Sequence, residues 1–461
     1  MAPSKADLAV LWPVPGPSLT EYTPARWPGS TPESTATARK YLQQDYEEHH
    51  GFFNYTGAHN HTPFHILVEW SLGGNSEHLE AIWNQHVALE RYAHRSPGPV
   101  NAHNFTDHLG DEEYYQGYLH FFSDILVKQP IRDVVEEWVF SSKANFDGRQ
   151  PEMVNHLLAG ILHPLLYLGY GIEFSLPGLV AEGLAQAAVH KIASSALIPK
   201  NMFSNMGRSR THAFTIAARI MRDNKFANFK SFDVVQAKVG MDIQRMAADW
   251  TVDGSNPKEV AKKMEELCFL NVMIYILGGW RDGQGFHDAD FTLMHLVTSS
   301  MTLSSYMAVL SPASKSLLLR AYFTRSLAFY VASGRPNLLL RSFYRMPLLT
   351  SFPGPMPSPT ESVYPSPDTP NLWLKIIQSA IVHPDDHLSK VQRTLAHYST
   401  LYGNTPAGTF EGTELDGCEL IDGTLFVRVA ALTMEWMGRI REGEPARFWA
   451  NDPNFPDSDI Q

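Results

Sequence analysis

From about residue 35 onward, apolar residues recur at three- and four-residue spacing in one segment after another, while period-two alternation is scarce. The segments run roughly over 35–48, 63–72, 76–94, 111–127, 131–141, 152–172, 177–195, 211–222, 235–249, 257–277, 288–309, 313–333, 369–382, 384–400 and 422–440. This pattern predicts a mostly α protein, a large single domain of many packed helices. Local signals agree: Thr62-Pro63, Asn256-Pro257 and Ser311-Pro312 each set a capping side chain before a proline at the first helical position, and Gly73-Gly74 ends the first of these helices. Residues 1–34 hold seven prolines and are expected to form an extended arm ahead of a helical unit spanning 35–461. A second run, 344–370, holds eight prolines and reads as an internal loop of that unit. The glycine-rich LGGWRDGQGF at 277–286 follows a helical pattern and reads as a turn.

The stretch from Phe291 to Leu310 lacks charge but carries His295 and seven serines or threonines, so a buried core helix is expected rather than a membrane span. Composition narrows the classes further. With 11% aromatic and only 18% charged residues in 461, the chain has enough apolar surface to fold. A net charge of -11 argues against nucleic acid or anionic membrane surfaces as partners. The N-terminus does not read as a secretory signal; a cytoplasmic location is expected, with Asn54, Asn60 and Asn104 of the Asn-x-Thr triplets unmodified. No dinucleotide fingerprint, P-loop, nucleophile elbow or haem motif is present in the sequence.

Two cysteines, Cys268 and Cys418, cannot build a metal site, and attention shifts to 20 histidines. HNHTPFH gathers His59, His61 and His65 around a helix start, as ligands or as surface and capping groups. In ILHPLLYLGYGIEF, Pro164 biases His163 out of helical conformation and sets it at a helix start or kink; Tyr167, Tyr170 and Phe174 follow on one stripe. His163 reads either as a satisfied core group or as a ligand, and so does His295 in LMHLVTSS. IVHPDDHLSK carries His383 and His387, with Asp385 or Asp386 as a helix cap, while His108 sits in loop and cap chemistry before Asp111. Lys375, among apolar neighbours in NLWLKIIQSAIVH, is open to two readings: a snorkelling ammonium, or a desolvated amine able to add carbon dioxide.

In the strings HNHTPFHILVEWSLGG (59–74), HNFTDHLGDEEYYQGYLHFF (103–122), HPLLYLGYGIEF (163–174), AEGLAQAAVH (181–190), MHLVTSS (294–300) and HPDDHLSKVQRTL (383–395), the chain resembles the questin oxidase-like family of fungal anthraquinone-tailoring oxygenases. The resemblance implies a helical enzyme of polyketide secondary metabolism that uses O2. It also implies an iron site of four histidines, His61, His163, His295 and His387, plus a carboxylated lysine, for which Lys375 is the candidate. His65, His108, His190 and His383 compete for these places. Asp386 and Glu173 are alternative oxygen donors, set aside because Asp386 is expected to point elsewhere on its helix and Glu173 to leave the His163 stripe.

The expected activity is Fe(II)-dependent oxidative cleavage of a carbon–carbon bond in an anthraquinone ring. His163, His295 and Tyr170 are placed at the reacting centre, and Tyr167, Tyr170 and Trp70 form the stacking surface for the substrate. The alternatives are an NADPH-dependent Baeyer–Villiger monooxygenase, with NADPH as a transient reductant, and a non-catalytic polyketide-binding protein.

Overall fold

Capping chemistry sets the first elements in the computed structural model, which describes residues 3–55, 57–192, 195–204, 210–348, 370–438 and 447–450. Ser4 and Asp7 form a capping box that starts α1 (Lys5–Leu11), so the N-terminal stretch is not extended throughout. The rest of that stretch lies on the body: Leu11 and Trp12 are buried, Gly16 N–H donates to Phe174 O, and Trp27 N–H donates to Ser71 O. Most of the proline-rich run, residues 349–369, lies outside the described residues.

The helices that follow are α2 (Pro32–Glu48), α3 (Thr62–Ser71), α4 (Ser76–Val87), α5 (Tyr115–Leu126), α6 (Ile131–Val135), α7 (Lys143–Phe146) and α8 (Met153–Leu157). Then come α9 (His163–Glu173), α10 (Pro177–Val189), α11 (Ala213–Arg222), α12 (Phe232–Ala247), α13 (Pro257–Gly278), α14 (Phe291–Val309) and α15 (Pro312–Ala332). The last are α16 (Leu340–Arg345), α17 (Leu372–Ile381), α18 (Asp386–Tyr402) and α19 (Leu425–Met437). The glycine-rich turn is a hairpin of two short strands, β1 (Trp280–Arg281) and β2 (Gly285–Phe286). The fold is mostly α and a single packed helical domain, as the hydrophobic periodicity implies.

Two local expectations need correction. Thr62 does not cap α3 but lies inside it; the cap position belongs to His61, and the Thr62 hydroxyl donates to Glu90. His163 is itself helical, and the strain that Pro164 announces falls earlier, on Gly160, Ile161 and Leu162, all with positive φ. A non-glycine residue in that region costs about 1–3 kcal/mol and clusters at functional sites.

Helix α14 runs through the middle of the protein, packed against α9, α13, α15 and α18 and buried over most of its length. Most of its hydroxyls are satisfied inside the fold, Ser305 being the exception. Ser300, Thr302 and Ser304 donate to carbonyls one turn back, and Ser299 and Ser300 also hydrogen-bond the phenols of Tyr322 and Tyr398. Among the described residues, no helix is long and apolar enough to cross a membrane.

Glycines bring α9 close to its partners. A Cβ at Gly169 would stand 2.5 Å from Thr302 Cβ of α14, and one at Gly183 of α10 would stand 2.5 Å from the Leu168 backbone nitrogen. The second contact is with backbone and cannot relax by a rotamer change. Gly183→Ala is therefore expected to lower stability by about 1–3 kcal/mol through overpacking of the α9–α10 pair, read as a shifted denaturant midpoint with unchanged slope.

Candidate metal centre and active site

Four imidazoles meet where the N-terminal ends of four helices converge. His61 occupies the cap position of α3, His163 opens α9, His295 lies in the second turn of α14, and His387 is the second residue of α18. Ring centroids are 5.0 Å apart for His61 and His163, 4.9 Å for His163 and His295, 5.3 Å for His295 and His387, and 4.6 Å for His61 and His387. Residues distant in sequence thus form one closed ring of neighbours.

Each ring is held by its Nδ1. His163 Nδ1 lies 2.8 Å from Gly160 O, and His295 Nδ1 lies 2.7 Å from Phe291 O. His61 Nδ1 lies 3.0 Å from Asp386 Oδ2, and His387 Nδ1 lies 3.2 Å from Asp386 Oδ1. A carbonyl or carboxylate can only accept, so Nδ1 carries the proton and Nε2 presents a lone pair. His295 Nε2 and His387 Nε2 are buried without a hydrogen-bond partner, while His61 Nε2 and His163 Nε2 face each other at 2.9 Å.

Two lone pairs at that distance repel, and a cation between them removes the conflict. Metal–imidazole bonds of about 2.1 Å at a right angle would put neighbouring nitrogens about 3 Å apart, so the spacing suits adjacent ligands. Anchoring of the second ring nitrogen by a carbonyl or carboxylate is the usual support of a ligating histidine. The donor set therefore fits a transition metal that favours imidazole.

Electrostatics keep most of these rings neutral. Burial, then neighbouring imidazoles, hold His163 well below the usual imidazole range; burial and His387 do the same for His295, and burial with the Lys390 ammonium pushes His61 down to about 3. His387 differs: burial lowers it, yet Asp386 and Asp385 turn the shift upward. Burial alone would raise Asp386, but His387, Lys390 and His61 outweigh it and hold the carboxyl well below its usual range.

The loop before α9 is fitted to this task. Gly160 has φ +53°, and a Cβ there would lie 2.4 Å from His190 Nε2 and 3.0 Å from His59 Cε1. Only glycine lets the loop pass those rings and aim its carbonyl at His163. Tyr167, placed in the sequence reading among stacking residues, instead donates its phenol to Asn60 O and so fixes the loop that carries His61.

The other expected site residues go elsewhere. Tyr170 is buried between Phe64 and Phe174, and Trp70 donates its indole N–H to Thr35 beneath Arg26. Neither they nor Tyr167 line the cavity beside the histidines, because their helix faces turn inward to core partners. Lys375 is half-buried on α17, which is not one of the four helices whose residues meet at the rings. The lysine found there is Lys390, buried, with Nζ 2.7 Å from Asp386 Oδ2. Asp386, expected to point away, points in and forms with His61 and His387 a group able to hold a metal ion. Glu173 pairs with Arg393.

The competing histidines are engaged otherwise: His65 with His86, His190 with His59, His383 with Met437 O, and His108 stacked on Tyr114.

A cavity of about 260 Å³ opens on the His61 and His387 side. Its walls include Phe53, Leu89, Phe291 and Phe448, with Gln85, His86 and Glu90 supplying polar edges. None of these, apart from the helix that carries Phe291, stands out in the sequence. Asp386 and Lys390 are more legible, since they sit at i, i+4 on the helix that bears His387.

Comparison with known proteins supplies the family. The family described as Questin oxidase-like matches residues 58–395, a span that contains all four histidines. The chain belongs to the questin oxidase-like family. Among its relatives are a protein named Baeyer-Villiger oxidase ptaJ from Pestalotiopsis fici, 25% identical over 87% of this chain and 88% of its own. Another is named questin oxidase, from Aspergillus terreus, 26% identical over 78% of this chain and 79% of its own. Like them, this family member is an oxidoreductase.

Acid should weaken this protein through its buried histidines. Burial holds His156 and His190 down to about 4, as it does His61 to about 3. The unfolded chain then binds more protons than the folded one, so stability is complete above about pH 6.5 and is lost as pH falls toward these lowered values. The metal-free protein is expected to show a thermal midpoint that drops continuously between pH 6.5 and 4; a flat midpoint across that window would contradict the neutral imidazoles.

Proposed function

We propose that this protein is an iron-dependent oxygenase that opens a ring of an anthraquinone-type polyketide. The observation that carries the reading is the ring of four neighbouring imidazoles, with His61 Nε2 and His163 Nε2 lying 2.9 Å apart and a carbonyl or carboxylate oxygen beside each Nδ1. His61, His163, His295 and His387 would hold the metal, which when bound supplies the redox chemistry that activates dioxygen.

The chain's own groups do the rest. Gly160 O, Phe291 O and Asp386 keep the imidazoles in one tautomer and one orientation. Phe53, Phe291 and Phe448 offer flat apolar walls for a fused aromatic ring system beside His61 and His387. Gln85, His86 and Glu90 meet its carbonyl and hydroxyl edges, and the enclosed wall on the His163 and His295 side excludes water.

The relatives' names favour oxygen insertion of the Baeyer–Villiger type next to a quinone carbonyl. Insertion of one oxygen atom from O2 requires two electrons, supplied by a hydroquinone form of the substrate or by NADPH, and the second oxygen leaves as water. The insertion itself breaks the bond between the carbonyl carbon and its ring neighbour as the new carbon–oxygen bond forms, and hydrolysis of the resulting ester then opens the ring.

The carboxylated lysine is assigned to Lys390 in place of Lys375. Lys390 is the buried lysine one turn beyond His387, and carboxylation of its amine by CO2, with loss of protons to solvent, would give an anionic oxygen donor.

Purified protein is expected to contain iron, and chelators to abolish oxygen uptake with an anthraquinone; activity in metal-free protein that depends on NADPH alone would establish the metal-independent Baeyer–Villiger reading instead. His163→Ala and His295→Ala should lose both metal and turnover. Asp386→Asn should reduce metal affinity or rate about 10–100-fold, the usual effect of removing an orienting partner. Lys390→Ala should lose metal and any carbamate carbon signal from labelled bicarbonate, and Lys375→Ala should retain both.

A further inference from the structure

Arg325 of α15 is buried, at 7% exposure, and among the described residues no carboxylate forms an ion pair with it. Its guanidinium carbon lies 4.3 Å from the ring centroid of Phe232 and 5.8 Å from that of Phe329. Contact with aromatic rings leaves the N–H donors of the guanidinium unserved, because a ring offers them no hydrogen-bond acceptor oxygen and the five donors lie in the guanidinium plane. One of them, on Nη1, reaches Gln236 Oε1 at 3.2 Å, while the buried Nε has no partner. Burial pushes this arginine down to about 9, against the opposing effect of Asp233.

Arg325 lines a cavity of about 150 Å³. Lys191 and Asp233, both exposed, stand at its rim, and Gly160 and Ile161 form one wall. Two cations against one carboxylate leave the cavity with excess positive charge. A buried, unpaired charge is costly, and a planar fork of donors is matched by a coplanar pair of oxygens.

We propose that this cavity is a binding site for a small oxyanion, a carboxylate or phosphate group held by Arg325 and Lys191, separate from the cavity at the histidine centre. Both aromatic rings stand on one side of Arg325, their centroids 4.5 Å apart, so an oxyanion would meet the remaining N–H donors with its substituent directed toward the rim. The site abuts the metal centre through one loop. Gly160 and Ile161 line the anion cavity on one side, and on the other Gly160 O accepts from His163 Nδ1. The inference rests on Arg325 and its surroundings and does not depend on the identity of the metal or the substrate.

The test is calorimetric titration of the purified protein with acetate, benzoate and inorganic phosphate, repeated on Lys191→Ala and Arg325→Gln. Saturable binding at one site is expected, about tenfold weaker in Lys191→Ala, the effect of one charge-assisted hydrogen bond, and undetectable in Arg325→Gln. The relative affinities of the three anions separate a carboxylate site from a phosphate site. Crystals grown with bromide should show an anomalous peak beside Arg325. Lys191 is exposed, so its variant tests the site even if replacement of the buried arginine prevents folding. No saturable binding, or equal binding in the wild type and Lys191→Ala together with no bromide peak, would overturn the proposal.

Discussion

The structure turns on the orientation of four imidazoles whose outer nitrogens are tied down. With Gly160 O, Phe291 O and Asp386 beside the Nδ1 atoms, His61 Nε2 and His163 Nε2 face each other at 2.9 Å, and His295 Nε2 and His387 Nε2 are buried without a hydrogen-bond partner. Such an arrangement is unfavourable by itself, since lone pairs repel and buried nitrogens lose their hydrogen bonds to water. It becomes favourable when a cation takes the centre. Much of the surrounding architecture sets those four anchors: the strained turn before α9, the packing of α14 in the core, and the first turn of α18.

Asp386 illustrates how one group serves several ends. It orients His61 and His387 together, and Lys390 balances its charge from the next turn of the same helix. Asp385 meanwhile caps α18 and accepts the indole N–H of Trp449, tying the C-terminal residues to the site. Adjacent carboxylates thus divide the work between helix initiation and the histidine centre. Lys390 is equally tied to both, since its amine can balance Asp386 as an ammonium or become an anion itself as a carbamate, and the two states leave Asp386 with different partners.

The aromatic content also separates into two roles. Tyr167, Tyr170 and Trp70 are structural, sealing the core around α9 and fixing the loop of His61, whereas phenylalanines from distant segments face the open cavity. The Gly160–Ile161 turn has a comparable double position, between the metal centre and a cavity that holds an unpaired arginine. Its left-handed residues are costly for an isolated chain and persist because the packing on both sides leaves the backbone no alternative.

Periodicity alone determined that this chain is helical, because a 3.6-residue repeat of apolar side chains has few other solutions, and the uncharged run of α14 could only be core. The histidine strings likewise marked His61, His163, His295 and His387, with the resemblance to a family selecting them from the rest. Which oxygen groups stand beside them was not legible. Lys375 and Lys390 both lie among apolar neighbours in helical segments, and only the packing of α18 against α3 and α14 shows that Lys390 faces the rings. The direction of Asp386, the burial of Tyr170 and Trp70, and the phenylalanine walls of the cavity were equally hidden. Each depends on which face of a helix meets which neighbour, and that is fixed by contacts between segments far apart in sequence rather than by any local pattern.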